Sequence, residues 1–146
     1  MNIEFHHKTV IVTGAAHGFG RQISLEYARR GASVWACDVL ADELAETRAL
    51  CLEAGGACEI GTVDVTRRDE VFGFVVAALR TAPQVDILVN NAGGVLGQTG
   101  RPLEDVPLED WQGIFDVNVT GAFMFCQAVA PGMKAARQGR IVNISS

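Results

Sequence analysis

The sequence predicts an α/β chain: a doubly wound parallel sheet with helices on both faces. Three observations predict it. Strand-like and helix-like stretches alternate along the 146 residues with no hairpin signal between them, a pattern that builds βαβ units. The strand-like runs are apolar throughout rather than every second residue, as a sheet covered on both faces requires. Polar residues recur where those runs stop, at the end of a parallel sheet where ligands sit, near the point at which strand order reverses.

The elements follow in order. "TVIVTG" (9–14) is a β-branched run stopped by glycine, a buried strand. "GFGRQISLEYARR" (18–30) places Ile23, Tyr27 and Ala28 at helical spacing, and Gly31 ends it. "SVWACD" (33–38) is a second strand, and "ADELAETRALCLEAG" (41–55) a helix with a glycine stop. "ACEIGTVDV" (57–65) is a third strand and "RRDEVFGFVVAALRTA" (67–82) a third helix. "VDILVNNAG" (85–93) is a fourth strand running into a turn, followed by a polar, glycine-rich loop. Helical periodicity then covers 108–137, as two helices or one broken helix, and "GRIVNISS" (139–146) is a fifth strand. Right-handed crossovers wind these units on both faces of one sheet. The expected strand ends are Thr13, Asp38, Asp64, Asn90 and Ser145–Ser146. One domain spanning 1–146 is expected, with no repeat or linker.

Composition narrows the partners. The net charge is −5 and the basic residues do not cluster, which argues against a nucleic-acid or anionic-membrane surface. No apolar run reaches the ~20 residues of a membrane helix, and the N-terminus lacks a secretory pattern, so the cytoplasm is the expected compartment. Cys37, Cys51, Cys58 and Cys126 form no C-x-x-C pair and no zinc-ligand spacing. They are expected as free buried thiols, with no metal site. Trp35 and Trp111 are expected to pack against the core.

"TGAAHGFG" (13–20) joins the first strand to the first helix. Its glycines let backbone approach a pyrophosphate closely, and the helix N-terminus offers free N–H groups and a partial positive charge. His17 within it has two readings, a donor to a phosphate oxygen or a solvated loop residue. Asp38 closes the second strand 18 residues after Gly20. Its carboxylate can accept both hydroxyls of an adenosine ribose and would repel a 2′-phosphate; the alternative is a helix cap. Asp64 reads equally as an adenine contact or a turn stabiliser. "NNAGG" (90–94) breaks the fourth strand sharply, and Asn118 stands in mid-helix, where an asparagine competes for backbone hydrogen bonds. A kink, a bound water or a tolerated polar residue are all open there.

Taken together, "TGAAHGFG", "DV" at 64–65, "NNAG", "DVNVTG" and "GRIVNISS" resemble the successive motifs of the short-chain dehydrogenase/reductase family, in family order, from Lys8 to Ser146. The resemblance implies a Rossmann-like sheet binding NAD or NADP. By resemblance, Gly14, Gly18 and Gly20 hold the pyrophosphate turn, Asp64 and Val65 contact adenine, and Asn90, Ala92 and Gly93 line the cofactor. Asn118 matches the asparagine whose backbone holds a proton-relay water, and Ser146 the serine that polarises the substrate oxygen. The family's Tyr-x-x-x-Lys motif does not occur in these residues, whose one tyrosine is Tyr27. The chain is therefore expected to be the first part of such an enzyme, truncated after the fifth strand and inactive alone. The implied function is an NAD-dependent oxidoreductase acting on a secondary alcohol or ketone, as a homodimer or homotetramer, with NADP the less favoured cofactor. A non-catalytic dinucleotide-binding or interaction module is the competing expectation.

Overall fold

The computed structural model describes residues 3–145. Five strands form one sheet: Thr9–Thr13 (β1), Ser33–Asp38 (β2), Ala57–Thr62 (β3), Ile87–Asn90 (β4) and Arg140–Asn143 (β5). All pairs are parallel, in the order β3-β2-β1-β4-β5. The chain winds outward from β1 to β3, then returns across β1 to β4. That reversal places a crevice between the carboxyl ends of β1 and β4.

The helices are Gly18–Arg29 (α1), Ala41–Glu53 (α2), Arg68–Leu79 (α3), Leu108–Phe115 (α4) and Gly121–Ala136 (α5). Side chains alternate across each strand, so the sheet feeds two cores. Val10, Val12, Val34 and Ala36 pack with Leu25 and Leu44, the layer of α1 and α2. Ile11, Trp35 and Leu88 pack with Val71, Phe74 and Phe125, the layer of α3 and α5. There Phe74 meets Trp35 edge-on at 5.7 Å and Phe125 at 6.5 Å. Gly61 makes room for this cluster, because a Cβ there would stand 2.7 Å from the Phe74 ring.

Several expectations need correction. β3 stops at Thr62 and β5 at Asn143, so Asp64 and Ser145 lie beyond the ladder; Ser146 lies outside the described residues. A 3₁₀ turn at Leu103–Asp105 interrupts the expected loop. The stretch from 108 to 136 is one helix whose middle, Asp116–Thr120, widens into a π-helical turn. At 29 residues it is also long and apolar enough to cross a membrane by length and composition, against the expectation that no run would be. Its Met124, Phe125, Val129 and Met133 are instead buried in the core against α3 and the sheet. Trp111 is 49% exposed and rests on Phe115 at 4.8 Å, because no described element covers that side of α4. Trp35 is buried as expected. The four cysteines are free; Cys126 is half-buried and the other three are buried.

Candidate functional site

Two loops meet at the crevice. The first, from Thr13 to α1, turns sharply at Gly14 (φ +64°) and Gly18 (φ +55°), a backbone region that L side chains rarely adopt. Gly20 sits inside α1 and touches the Gly14 carbonyl so closely that a Cβ would overlap it. Gly18 faces open space. His17, exposed, is the N-cap of α1 and makes no side-chain cap bond. The first turn of α1 has no acidic residue, whereas α2 and α3 have two each. The N–H groups at this helix end therefore keep their partial positive charge.

The second loop follows β4. Asn91 donates from Nδ2 to the carbonyls of Thr13 (3.1 Å) and Gly14 (2.9 Å). Thr13 Oγ1 in turn accepts from the backbone N–H groups of Asn91 and Ala92, both at 3.0 Å. These four bonds stitch the loops together across the order reversal. Sequence reasoning missed Thr13 and Asn91; strand parity gives only that Asn90 and Asn91 face opposite ways, and the packed sheet decides which one reaches the crevice. Asn90 shares the face of Leu88, is 5% exposed, and donates to Asn143 Oδ1 at 2.8 Å. Its side chain is thus turned under β5 and away from the glycine turn, contrary to a side-chain lining role.

Asp38 stands beside the first loop. Its Oδ2 accepts from the Ala16 N–H at 3.0 Å and its Oδ1 from the Leu40 N–H at 3.1 Å. The capping alternative is not what is seen, since the N-cap of α2 is Leu40. Next to it the Cys37 thiol is pushed up from its ordinary pKa by burial and, secondarily, by the Asp38 charge, and so stays a neutral core group.

Asp64 Oδ1 accepts from Thr66 N–H (2.9 Å) and Thr66 Oγ1 (2.7 Å). The turn-stabilising role is therefore real, with Oδ2 outside those bonds. Val65 is buried against Gly121. Gly93 leaves room for Asn118, whose Oδ1 would lie 2.6 Å from an added Cβ. Asn118 accepts from the Gly94 N–H (3.0 Å) and donates to the Gly94 carbonyl (2.7 Å) and the Ile114 carbonyl (2.7 Å). Taking the carbonyl four residues back, which α-helical pairing would give to the Asn118 N–H, matches the π widening at this turn. The crevice thus assembles Gly14, Gly18, Asp38, Ala92, Gly93 and Asn118 from four separate segments.

A fold and crevice of this kind define a dinucleotide-fold protein, and comparison with known proteins narrows the class. Residues 8–146 match the family model described as short chain dehydrogenase; the chain belongs to the short-chain dehydrogenase/reductase family. It is 36% identical over 139 residues to a cyclopentanol dehydrogenase of Comamonas sp. (strain NCIMB 9872), covering 95% of this chain and 54% of that one. A metagenomic short-chain oxidoreductase solved in complex with NADP superposes with a TM-score of 0.92 at 31% identity, over 97% of this chain and 63% of that one. A 7α-hydroxysteroid dehydrogenase solved with NADH and 7-oxo glycochenodeoxycholic acid superposes with a TM-score of 0.91 at 34% identity, over 99% and 55%. The chain spans about half the length of the curated relatives it matches. Relatives with either nicotinamide dinucleotide are thus represented, and the family is one of oxidoreductases.

Proposed function

We propose that these residues are the dinucleotide-binding part of an NAD-dependent oxidoreductase. Its complete form moves hydride between nicotinamide and a secondary alcohol or ketone, including a 3-oxoacyl thioester, a polyol or a sugar. One observation supports this most: the Asp38 carboxylate is held by the Ala16 N–H beside the glycine turn, at the order reversal of the sheet. The residues fit such a cofactor. The contact of Gly20 with Gly14 makes a turn that any Cβ would fill, and the unneutralised end of α1 suits a pyrophosphate.

In this reading Gly14, Gly18 and Gly20 hold the pyrophosphate, with His17 at its edge. Asp38 accepts the ribose hydroxyls through its remaining lone pairs. Asp64 and Val65 take the adenine side, and Asn90 (through its main chain), Ala92 and Gly93 line the path toward the nicotinamide. When bound, the nicotinamide supplies or takes up the hydride. Ser146 donates a hydrogen bond to the substrate oxygen, where charge develops. Asn118 keeps the loop after β4 fixed beside that path while its main chain orders a relay water. Tyr27 takes no part in proton transfer: it packs edge-on against Phe5 at 4.8 Å in α1, and burial pushes its phenol up from the ordinary value. The polypeptide 1–146 by itself therefore does not turn over substrate. A cytoplasmic homodimer or homotetramer belongs to the same proposal.

The test is cofactor choice in the full-length protein. A carboxylate against a 2′-phosphate is a like-charge clash in a partly desolvated site, worth about 2 kcal/mol, or roughly 30-fold in affinity. NAD(H) is expected to bind tighter than NADP(H) by that order, and Asp38→Ala to narrow the gap. Tighter NADP(H) binding by the unmodified protein would overturn the assignment.

A further inference from the structure

The glycine turn is held by more than its glycines. All four backbone polar groups of Ala15 and Ala16 are engaged, from three elements. The end of β2 takes the two N–H groups: Ala15 donates to the Cys37 carbonyl at 3.1 Å and Ala16 to Asp38 Oδ2 at 3.0 Å. The helices take the two carbonyls. Thr47 of α2, fully buried, donates from Oγ1 to the Ala15 carbonyl at 2.8 Å. Arg21 of α1 donates from Nε to the Ala16 carbonyl at 2.9 Å and to Thr47 Oγ1 at 3.0 Å. The other arm of the guanidinium reaches the Glu43 carbonyl at 2.9 Å and Glu46 Oε2 at 3.0 Å.

A buried hydroxyl and a largely buried guanidinium between two helices need their partners, and here the partners are the peptides of the turn. The guanidinium fork suits the task, since its fixed plane serves several acceptors at once. The peptide joining Ala15 to Ala16 is the hinge of the arrangement. Asp38 grips its N–H and Thr47 its carbonyl, while Arg21 holds the carbonyl of the next peptide, between Ala16 and His17. Rotating the hinge peptide would therefore release the carboxylate and tilt the turn leading to Gly18.

We propose that Arg21 and Thr47 are positioning residues of the dinucleotide site, fixing the Ala15–Ala16 peptides so that turn and Asp38 are ordered before the cofactor arrives. This rests on the function proposed above. Without the clamp, ordering the turn falls on the binding step, and affinity drops by that amount.

The experiment uses the full-length protein and three variants: Thr47→Val, which keeps shape and loses the hydroxyl; Thr47→Ser, which keeps the hydroxyl; and Arg21→Lys, which keeps charge and stem but loses the fork. Calorimetric titration with NAD is expected to show about tenfold weaker binding for Thr47→Val and Arg21→Lys, the loss of one net hydrogen bond. Thr47→Ser is expected to bind within about twofold of the unmodified protein, because its hydroxyl still bonds the Ala15 carbonyl. Without cofactor, the Ala16 amide is expected to exchange faster with solvent in the two weakened variants. Undiminished affinity in folded Thr47→Val and Arg21→Lys overturns the proposal, as does a Thr47→Ser variant as weak as Thr47→Val. If Thr47→Val fails to fold, Arg21→Lys decides. An unmodified protein that binds neither dinucleotide defeats the function proposal itself, visible before any variant is made.

Discussion

Gly20 and Asp86 show how much single residues decide here. Gly20 has ordinary helical neighbours, but its Cα lies against the Gly14 carbonyl. Gly20→Ala must push that carbonyl away, which opens the turn and strains α1; overpacking of this kind costs roughly 1–3 kcal/mol. Thermal unfolding of the full-length variant is expected to show that loss together with weakened dinucleotide binding. Unchanged binding would mean the turn tolerates a wider path. Asp86, just before β4, is buried at the opposite, amino-terminal end of the sheet. Burial pushes its carboxyl up, but bonds from the Thr9 N–H (2.9 Å), Gln84 Nε2 (2.8 Å) and Lys8 Nζ (3.1 Å) outweigh that and hold it below the usual carboxylate value. A depressed folded value stabilises above the unfolded value, and the contribution is lost as pH falls through the folded one. Asp86→Asn is therefore expected to cost about 2 kcal/mol near neutrality and much less in acid. Denaturant titrations at pH 7 and pH 3 check this, and an equal loss at both would remove the charge from the account.

At the scale of elements, the long helix from α4 to α5 is the informative one. Its α5 half is anchored by Phe125 and Val129 in the core, while its α4 half leaves Trp111 and Phe115 open. Asn118 sits at the change between them and ties the helix to Gly94 by two bonds. The π turn thus places the helix beside the loop after β4 through one side chain. Asn118→Ala is expected to lose about 1 kcal/mol of stability and to speed exchange of the Gly94 amide. An unchanged Gly94 exchange rate would show that the loop is held by Asn91 and Thr13 alone.

On the scale of the whole molecule, the sheet is unevenly protected. β1 is buried on all five residues, whereas every residue of β5 is exposed, with Ile141 at 41% and Val142 at 42%. An apolar groove of about 450 Å³ runs along the same region, between α1 and the ends of β4 and β5, lined by Ile23, Tyr27, Val89, Val142 and Ile144 among others. An open, apolar parallel strand is a template for association. The polypeptide 1–146 by itself is expected to self-associate, and Val142→Lys to shift it toward monomer. Sedimentation of both at several concentrations checks this; a monomeric 1–146 at high concentration would mean the edge is adequately shielded by its own twist.

The order of elements, the two-faced sheet and the placement of Thr13, Asp38 and Asn90 at strand ends were legible in the sequence, because apolar runs and glycine stops are local signals. So were Gly14 and Gly18, since a sharp turn with positive φ favours glycine. Strand lengths were not: whether β3 ends at Thr62 or runs on to Val65 depends on where its partner β2 stops, a property of pairing. The direction of Asn90 against Asn91 required the sheet, because which neighbour faces the crevice is set by what packs on each face. Trp111 was misplaced for the same reason: apolar character shows what a side chain prefers to touch, and only the assembled helices show whether anything is there. The Arg21–Thr47 clamp joins residues 26 apart in the chain, one directly after the glycine turn and the other in the next helix, to the same stretch of backbone. No periodicity or spacing encodes that; it exists only because α1 and α2 pack side by side on one face of the sheet and bring their polar groups to the same two peptides.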